Sequence, residues 1–227
     1  MKIAKQFYKT FSLHYNNVGT DVSYKIEKKV FNKDTSKEHS MLYIYFQGSE
    51  GKNDWKANFR FYKKIYSRKP YKGMETKFRV HAGFLECWKQ VEDIIKEKIK
   101  DSHIKYIYIF GYSHGAALAT LCHECVWFNR PDLRSKIFTY AFEAPRVYAS
   151  FRVKKSLKER WNNCFVFRNS NDIVTHLPSV LFGYTHVGTL VKIGRRDRYK
   201  FMNSVSAHYP EKVYNALIDY ENFYKNI

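Results

Sequence analysis

Nowhere in its 227 residues does the chain carry an apolar run of membrane-spanning length, so no transmembrane helix is expected. The opening stretch, MKIAKQFYKTFSLHYNN, has lysines but lacks the continuous apolar core of a secretory signal. Cysteine is scarce too. Cys87, Cys122, Cys125 and Cys164 make no disulfide framework of the kind that staples small secreted domains. Together these absences predict a reduced, cytoplasmic chain, at most peripheral to a membrane. Cys122-His123-Glu124-Cys125 resembles half of a metal site, but no second pair accompanies it, and thiols packed in a core are the better reading. Internal repeats, low-complexity tracts and linkers are missing as well, which predicts a single domain over residues 1–227.

Acidic residues are few. Asp and Glu number 21 against 40 Lys and Arg, leaving a formal net charge of +19. Such an excess suits anionic partners, either nucleic acid or acidic lipid. No nucleic-acid-binding signature stands out, so no specific nucleic-acid partner is expected. A solvated, lysine-rich surface is the plainer reading, with an anionic membrane surface kept as a partner class.

Apolar and aromatic residues are plentiful. Hydrophobic residues make up 44% and aromatics 18%, which excludes a disordered chain and permits a sizeable core. Ile104–Phe110 reads as a buried strand, and Ala116-Ala117-Leu118-Ala119 opens a helix. Between them stands Gly111-Tyr112-Ser113-His114-Gly115, a G-x-S-x-G turn from strand to helix, the nucleophile elbow. The turn is tight enough to strain the serine backbone. The glycines let strand and helix approach, and Ser113 stands proud at a helix N-terminus whose N–H groups suit an oxyanion.

The rest of the chain alternates. Residues 1–15 space Ile3, Phe7 and Phe11 as an amphipathic helix. Tyr24–Phe31 and Met41–Phe46 read as strands, the second apolar on both sides and so central. Lys63–Lys77 reads as a basic loop. Phe84 to Ile99 carries a strong apolar helical stripe. Ile137–Phe142, Cys164–Arg168 and Tyr184–Ile193 read as further strands, and Val147–Trp161 as a basic helix. A last helix opens around Ala207-His208-Tyr209-Pro210. Strands alternating with helices predict an α/β fold, a mainly parallel central sheet with helices on both faces. Reactive groups then collect at the C-terminal strand ends, where Ser49, Ser113 and Asp172 all fall.

A serine nucleophile needs an imidazole base oriented by a carboxylate. Asp172 follows a strand, and His176, His186 and His208 follow it in the chain. His176 shares the acid's own loop, and His186 sits in a strand pattern. His208 lies past the last strand at a loop-to-helix junction, and it is the preferred base. Glu143 also ends a strand and is the rival acid, with a structural role in its loop preferred. Glu50–Phe61 suits a short helix with Trp55 and Phe59 on one face.

These pieces together resemble the lipase class 3 family, the fungal-type triacylglycerol lipases. Phe46-Gln47-Gly48-Ser49 resembles that family's oxyanion strand end, and Asp54-Trp55 with Asn58-Phe59 its lid segment. Val80-His81-Ala82-Gly83-Phe84, Ala144-Pro145-Arg146-Val147, Asn171–Pro178 and Tyr184–Gly188 resemble further family motifs in the same order. The resemblance implies an α/β-hydrolase fold and a carboxylic-ester hydrolase acting on lipid or acylglycerol esters, without metal or organic cofactor. It implies Ser113 as nucleophile, Asp172 as acid and His208 as base. It implies Ser49 and the backbone N–H of His114 as the oxyanion hole, Trp55 and Phe59 as lid or substrate contacts, and His81, His176 and His186 as supporting residues. Tyr112 and His114 depart from the family's usual flanks of the serine, and His114 makes the rim titratable. The rival classes are a membrane-docking module on the same fold, and a thioesterase or amidase.

Overall fold

Apolar residues alternating along extended segments build the core of this molecule, because successive side chains of a strand face opposite sides. The computed structural model describes residues 2–19, 22–48, 62–67, 77–149, 159–194 and 205–225. The strands are β1 (Asn16–Val18), β2 (Val22–Phe31), β3 (His39–Phe46), β4 (Lys63–Ser67), β5 (Lys77–His81), β6 (Ile104–Tyr112), β7 (Ile137–Phe142), β8 (Tyr148–Ala149), β9 (Cys164–Asn169), β10 (Tyr184–Thr185) and β11 (Thr189–Ile193). The long helices are α1 (Ile3–Ser12), α2 (Ala82–Lys98), α3 (His114–Asn129) and α4 (Pro210–Lys225).

Among the described residues, seven strands form the main sheet in the order β1-β2-β3-β6-β7-β9-β11. The first three pair antiparallel, and from β3 onward every pairing is parallel. On one face, Leu42, Ile44, Ile107 and Ile109 pack with Trp88, Val91 and Ile95 of α2 and with Ala116, Ala117 and Leu121 of α3. On the other, Tyr45, Phe110, Phe142 and Phe167 pack with Phe7 of α1 and with Val213 and Leu217 of α4. This is the mainly parallel sheet covered on both faces that the strand–helix alternation predicts, in the arrangement the family resemblance implies. Parallel strands all end on one edge, and β6, β7 and β9 bring Ser113, Glu143 and Asp172 to that edge.

The second, four-stranded sheet, in the order β10-β8-β5-β4, departs from expectation. Lys63–Lys77 is not simply a basic loop. Its first five residues pair antiparallel with β5, because Tyr66 is buried and its hydroxyl donates to Glu92 Oε1 at 2.7 Å. Val147–Trp161 contributes β8 and a 3-10 turn at Glu159–Trp161, and the intervening residues lie outside those described. Tyr184–Ile193 is two strands in different sheets. Gly188 divides them at φ 77°, where a Cβ would meet the carbonyl oxygen of Cys164 at 2.2 Å. The last helix begins at Pro210, after a 3-10 turn at Val205–His208.

Candidate active site

Ser113 stands between β6 and α3 at φ 54° and ψ −120°, a conformation L-residues rarely adopt. Two glycines make the turn sterically feasible. A Cβ on Gly111 would lie 2.2 Å from the carbonyl oxygen of Gly115, and one on Gly115 would lie 2.3 Å from that of Phe46. Helix α3 therefore crowds against the ends of β3 and β6. The Ser113 N–H donates to the Phe142 carbonyl at 2.9 Å, which ties the turn to β7.

Asp172 follows β9. Its N–H donates to the Asn169 carbonyl at 3.0 Å, and its Oδ1 accepts the Val174 N–H at 2.9 Å. His208 ends the 3-10 turn before α4, and the Asn169 amide holds that turn by donating to the Ala207 carbonyl at 2.8 Å. Across these elements runs one line of hydrogen bonds. Ser113 Oγ donates to His208 Nε2 at 2.8 Å, and His208 Nδ1 donates to Asp172 Oδ2 at 2.6 Å. All three residues are buried, and Asp172 is 0% exposed.

His114 is the first residue of α3, so its N–H is among those for which the helix itself supplies no acceptor. Its side chain is also buried, with its ring 5.6 Å from that of Phe84. Ser49, Trp55 and Phe59, expected as oxyanion donor and lid contacts, lie outside the described residues. His176 and His186 brace the acid loop. His176 Nδ1 donates to the Asp172 carbonyl at 2.8 Å, and His186 Nε2 donates to the Thr175 carbonyl at 2.8 Å. Burial holds the His186 imidazole down at about 4. His81 is wholly buried and packs against Phe84, ring centroids 4.5 Å apart.

Two further side chains stand in this site: Tyr112, expected only as a flank of the serine, and Glu143, expected as the rival acid with a structural role preferred. Tyr112 stacks its ring on that of His208, and its hydroxyl donates to the His208 carbonyl. Burial, with Glu143 and Asp172 nearby, raises the phenol above its ordinary range. Glu143 ends β7 at φ 54°, is 0% exposed, and accepts the Asn169 N–H on Oε1 at 2.8 Å. Its carboxyl, the Asp172 carboxylate and the His208 ring lie within 4.8 Å of one another. Burial, and then the adjoining Asp172, push the Glu143 carboxyl well above the usual carboxylate range. The signal in the sequence was its place at a strand end, but that place alone does not reveal which carboxyl the imidazole meets.

The Cys-His-Glu-Cys run of α3 is core. His123 Nε2 donates to the Arg160 carbonyl at 2.7 Å, and its Nδ1 accepts from Thr139 Oγ1 at 2.8 Å. Glu124 pairs with the Arg160 guanidinium at 2.7 Å.

The sequence profile of the lipase (class 3) family matches residues 43–182, more than half of the chain. The chain belongs to this family. Among its relatives, a lipase of Rhizomucor miehei is 30% identical over 156 residues, covering 65% of this chain and 40% of that protein. A secreted mono- and diacylglycerol lipase A of Penicillium camembertii is 31% identical over 157 residues, covering 66% of this chain and 47% of that protein. The chain thus spans less than half the length of these relatives. A solved structure described as a triacylglycerol lipase whose catalytic centre is a serine protease triad aligns with a TM-score of 0.63. It is 24% identical, over 86% of this chain and 77% of that one. A deletion mutant of the Rhizomucor miehei lipase propeptide complex aligns over 91% of this chain and 64% of that one, at TM-score 0.59 and 22% identity. These likenesses establish the α/β-hydrolase fold.

The expectation of a cytoplasmic chain is corrected by the relatives, since those of Penicillium camembertii and Fusarium solani are named secreted lipases. The cysteine argument behind it fails physically. All four thiols are buried, so they report packing inside the core and not the redox state of a compartment.

Proposed function

We propose that this class 3 lipase-family chain is a serine carboxylic-ester hydrolase acting on acylglycerol esters, as a single domain and outside the cell. Ser113 Oγ attacks the ester carbonyl while its proton passes to His208 Nε2. Asp172 accepts the hydrogen bond from His208 Nδ1–H and stabilises the imidazolium that forms. The His114 N–H, with Ser49 by resemblance, stabilises the charge of the tetrahedral oxyanion. His208 returns the proton to the leaving alkoxide, giving free alcohol and acyl-Ser113. Water then attacks the acyl-enzyme with His208 as base, releasing the carboxylic acid and restoring the serine. Trp55 and Phe59 remain the proposed lid and substrate contacts.

The observation that carries this reading is the unbroken Ser113–His208–Asp172 hydrogen-bond line, buried at the C-terminal ends of the parallel strands. A fold that only docks on membranes has no need of it. Ser113→Ala should lower hydrolysis of a short-chain nitrophenyl ester by about 10⁴-fold or more. Activity retained in that variant would refute the proposal.

A further inference from the structure

The carboxyl of Glu143 is a buried acid that the reaction above does not use. Asp172 Oδ1 accepts from Val174 N–H and Oδ2 from His208 Nδ1–H, so both of its oxygens are engaged by donors. Glu143 Oε1 accepts from Asn169 N–H, but among the described residues no N–H or O–H donor reaches Glu143 Oε2. Beside this carboxyl lies that of Asp172, an oxygen of each within 4.8 Å of the other and of the His208 ring. Two buried carboxyls this close do not both ionise, and the proton goes to the one with fewer compensating donors. That one is Glu143.

We infer that Glu143 is a positioning residue whose carboxylic O–H donates to Asp172 and so fixes the oxygen that receives His208 Nδ1–H. The inference rests on the hydrolase reading for its catalytic consequence, and on the burial, donor geometry and neighbouring charges of the two carboxyls for the proton itself. The charged and titratable neighbours agree with it. Tyr112 commits its hydroxyl to His208, and His208 commits both ring nitrogens to Asp172 and Ser113. Arg168 draws the Glu143 carboxyl the other way, but burial and Asp172 outweigh it. The backbone supplies a further argument. Position 143 sits at φ 54°, where glycine is favoured and any other residue is strained. A glutamate there is held against its own backbone preference.

The position also supplies a clean test in the 227-residue chain. Glu143→Gln keeps a donor toward Asp172 and an acceptor for Asn169. Glu143→Gly removes the side chain while relaxing the backbone, so misfolding is not its expected consequence. Glu143→Gln should stay within about threefold of wild-type kcat, while Glu143→Gly should lose about 10- to 100-fold in kcat with little change in KM. Infrared difference spectra of wild type against Glu143→Gln at pH 7 should contain the carbonyl stretch of one protonated carboxylic acid. The downfield proton resonance of His208 Nδ1–H should persist in Glu143→Gln and broaden or vanish in Glu143→Gly. Absence of the infrared band overturns the inference. So does equal loss in both variants, or an unchanged kcat and unchanged resonance in Glu143→Gly. If wild type neither cleaves esters nor reacts with a fluorophosphonate, the hydrolase reading fails by itself, and the infrared and proton spectra still decide the place of the Glu143 proton.

Discussion

The Tyr112 ring lies over the His208 ring, centroids 5.1 Å apart and planes 24° from parallel, while its hydroxyl donates to the His208 carbonyl. One side chain, adjacent to Ser113 in the chain, thus fixes both the ring and the backbone of His208. Phe7 and Phe11 of α1 pack on the same tyrosine, at 5.6 and 5.1 Å. The amino-terminal helix therefore supports the imidazole indirectly. Tyr112→Phe keeps the stacking and removes one hydrogen bond. It should lower kcat about fivefold, the worth of roughly 1 kcal/mol, and leave KM nearly unchanged. Steady-state kinetics on a soluble ester tests this, and an unchanged kcat would count against the hydroxyl's role.

The elbow makes a prediction about stability. Gly115→Ala places a Cβ against the carbonyl oxygens of Phe46 and Gln47, at 2.3 and 2.4 Å. Backbone cannot yield as a flexible side chain can, so the variant should lose at least about 3 kcal/mol or fail to fold. At the serine the sign reverses. Ser113→Gly should be more stable than Ser113→Ala by about 1–2 kcal/mol, because glycine alone relieves φ 54°. Both differences are read from denaturant midpoints.

Acid should destabilise the fold through His123. Burial lowers its imidazole from 6.5 to about 4, with the Arg160 carbonyl acting in the opposite direction. Between these values the unfolded chain binds a proton that the folded chain refuses. Stability is therefore full above pH 6.5, declines as pH falls toward 4, and has lost about 3 kcal/mol from this residue at the end of that span. His123→Gln keeps one donor for the Arg160 carbonyl and one acceptor for Thr139. It should flatten the pH dependence of unfolding free energy over this range, and an unaltered slope would contradict the assignment.

The pair Glu124–Arg160 is sealed from water, with side-chain exposures of 0% and 2%. Removing one charge leaves the other buried without its partner. Arg160→Met or Glu124→Leu alone should cost about 3–5 kcal/mol, and the double variant should cost clearly less than the sum. A denaturation double-mutant cycle measures this. Additive losses would mean the two groups do not depend on one another.

The main sheet was legible where the sequence obeyed a simple period. β3, β6 and β7 are apolar on both faces, because parallel strands are covered on both sides, and their boundaries fell close to expectation. The second sheet was not legible. Its strands β8 and β10 are two residues each, too short to show any period, and β4 hides one buried tyrosine in a lysine-rich run. Gly188 broke a strand pattern that side chains alone could not divide. In the site, Ser113 announced itself by the glycines its turn requires, and Asp172 and His208 by chain order. Glu143 was legible only as a rival acid at a strand end and Tyr112 only as a flank of the serine, because their contacts with Asn169 and His208 join segments far apart in the chain, at sequence separations no local pattern encodes.

Everything proposed for catalysis rests on the nucleophilicity of Ser113, and covalent labelling by a fluorophosphonate probe tests that most directly. Intact mass and peptide mapping should place a single adduct on Ser113 in the wild type, none in Ser113→Ala, and labelling slowed by about 10³-fold or more in His208→Ala. Adduct formation on another residue, or at an undiminished rate without His208, would contradict it.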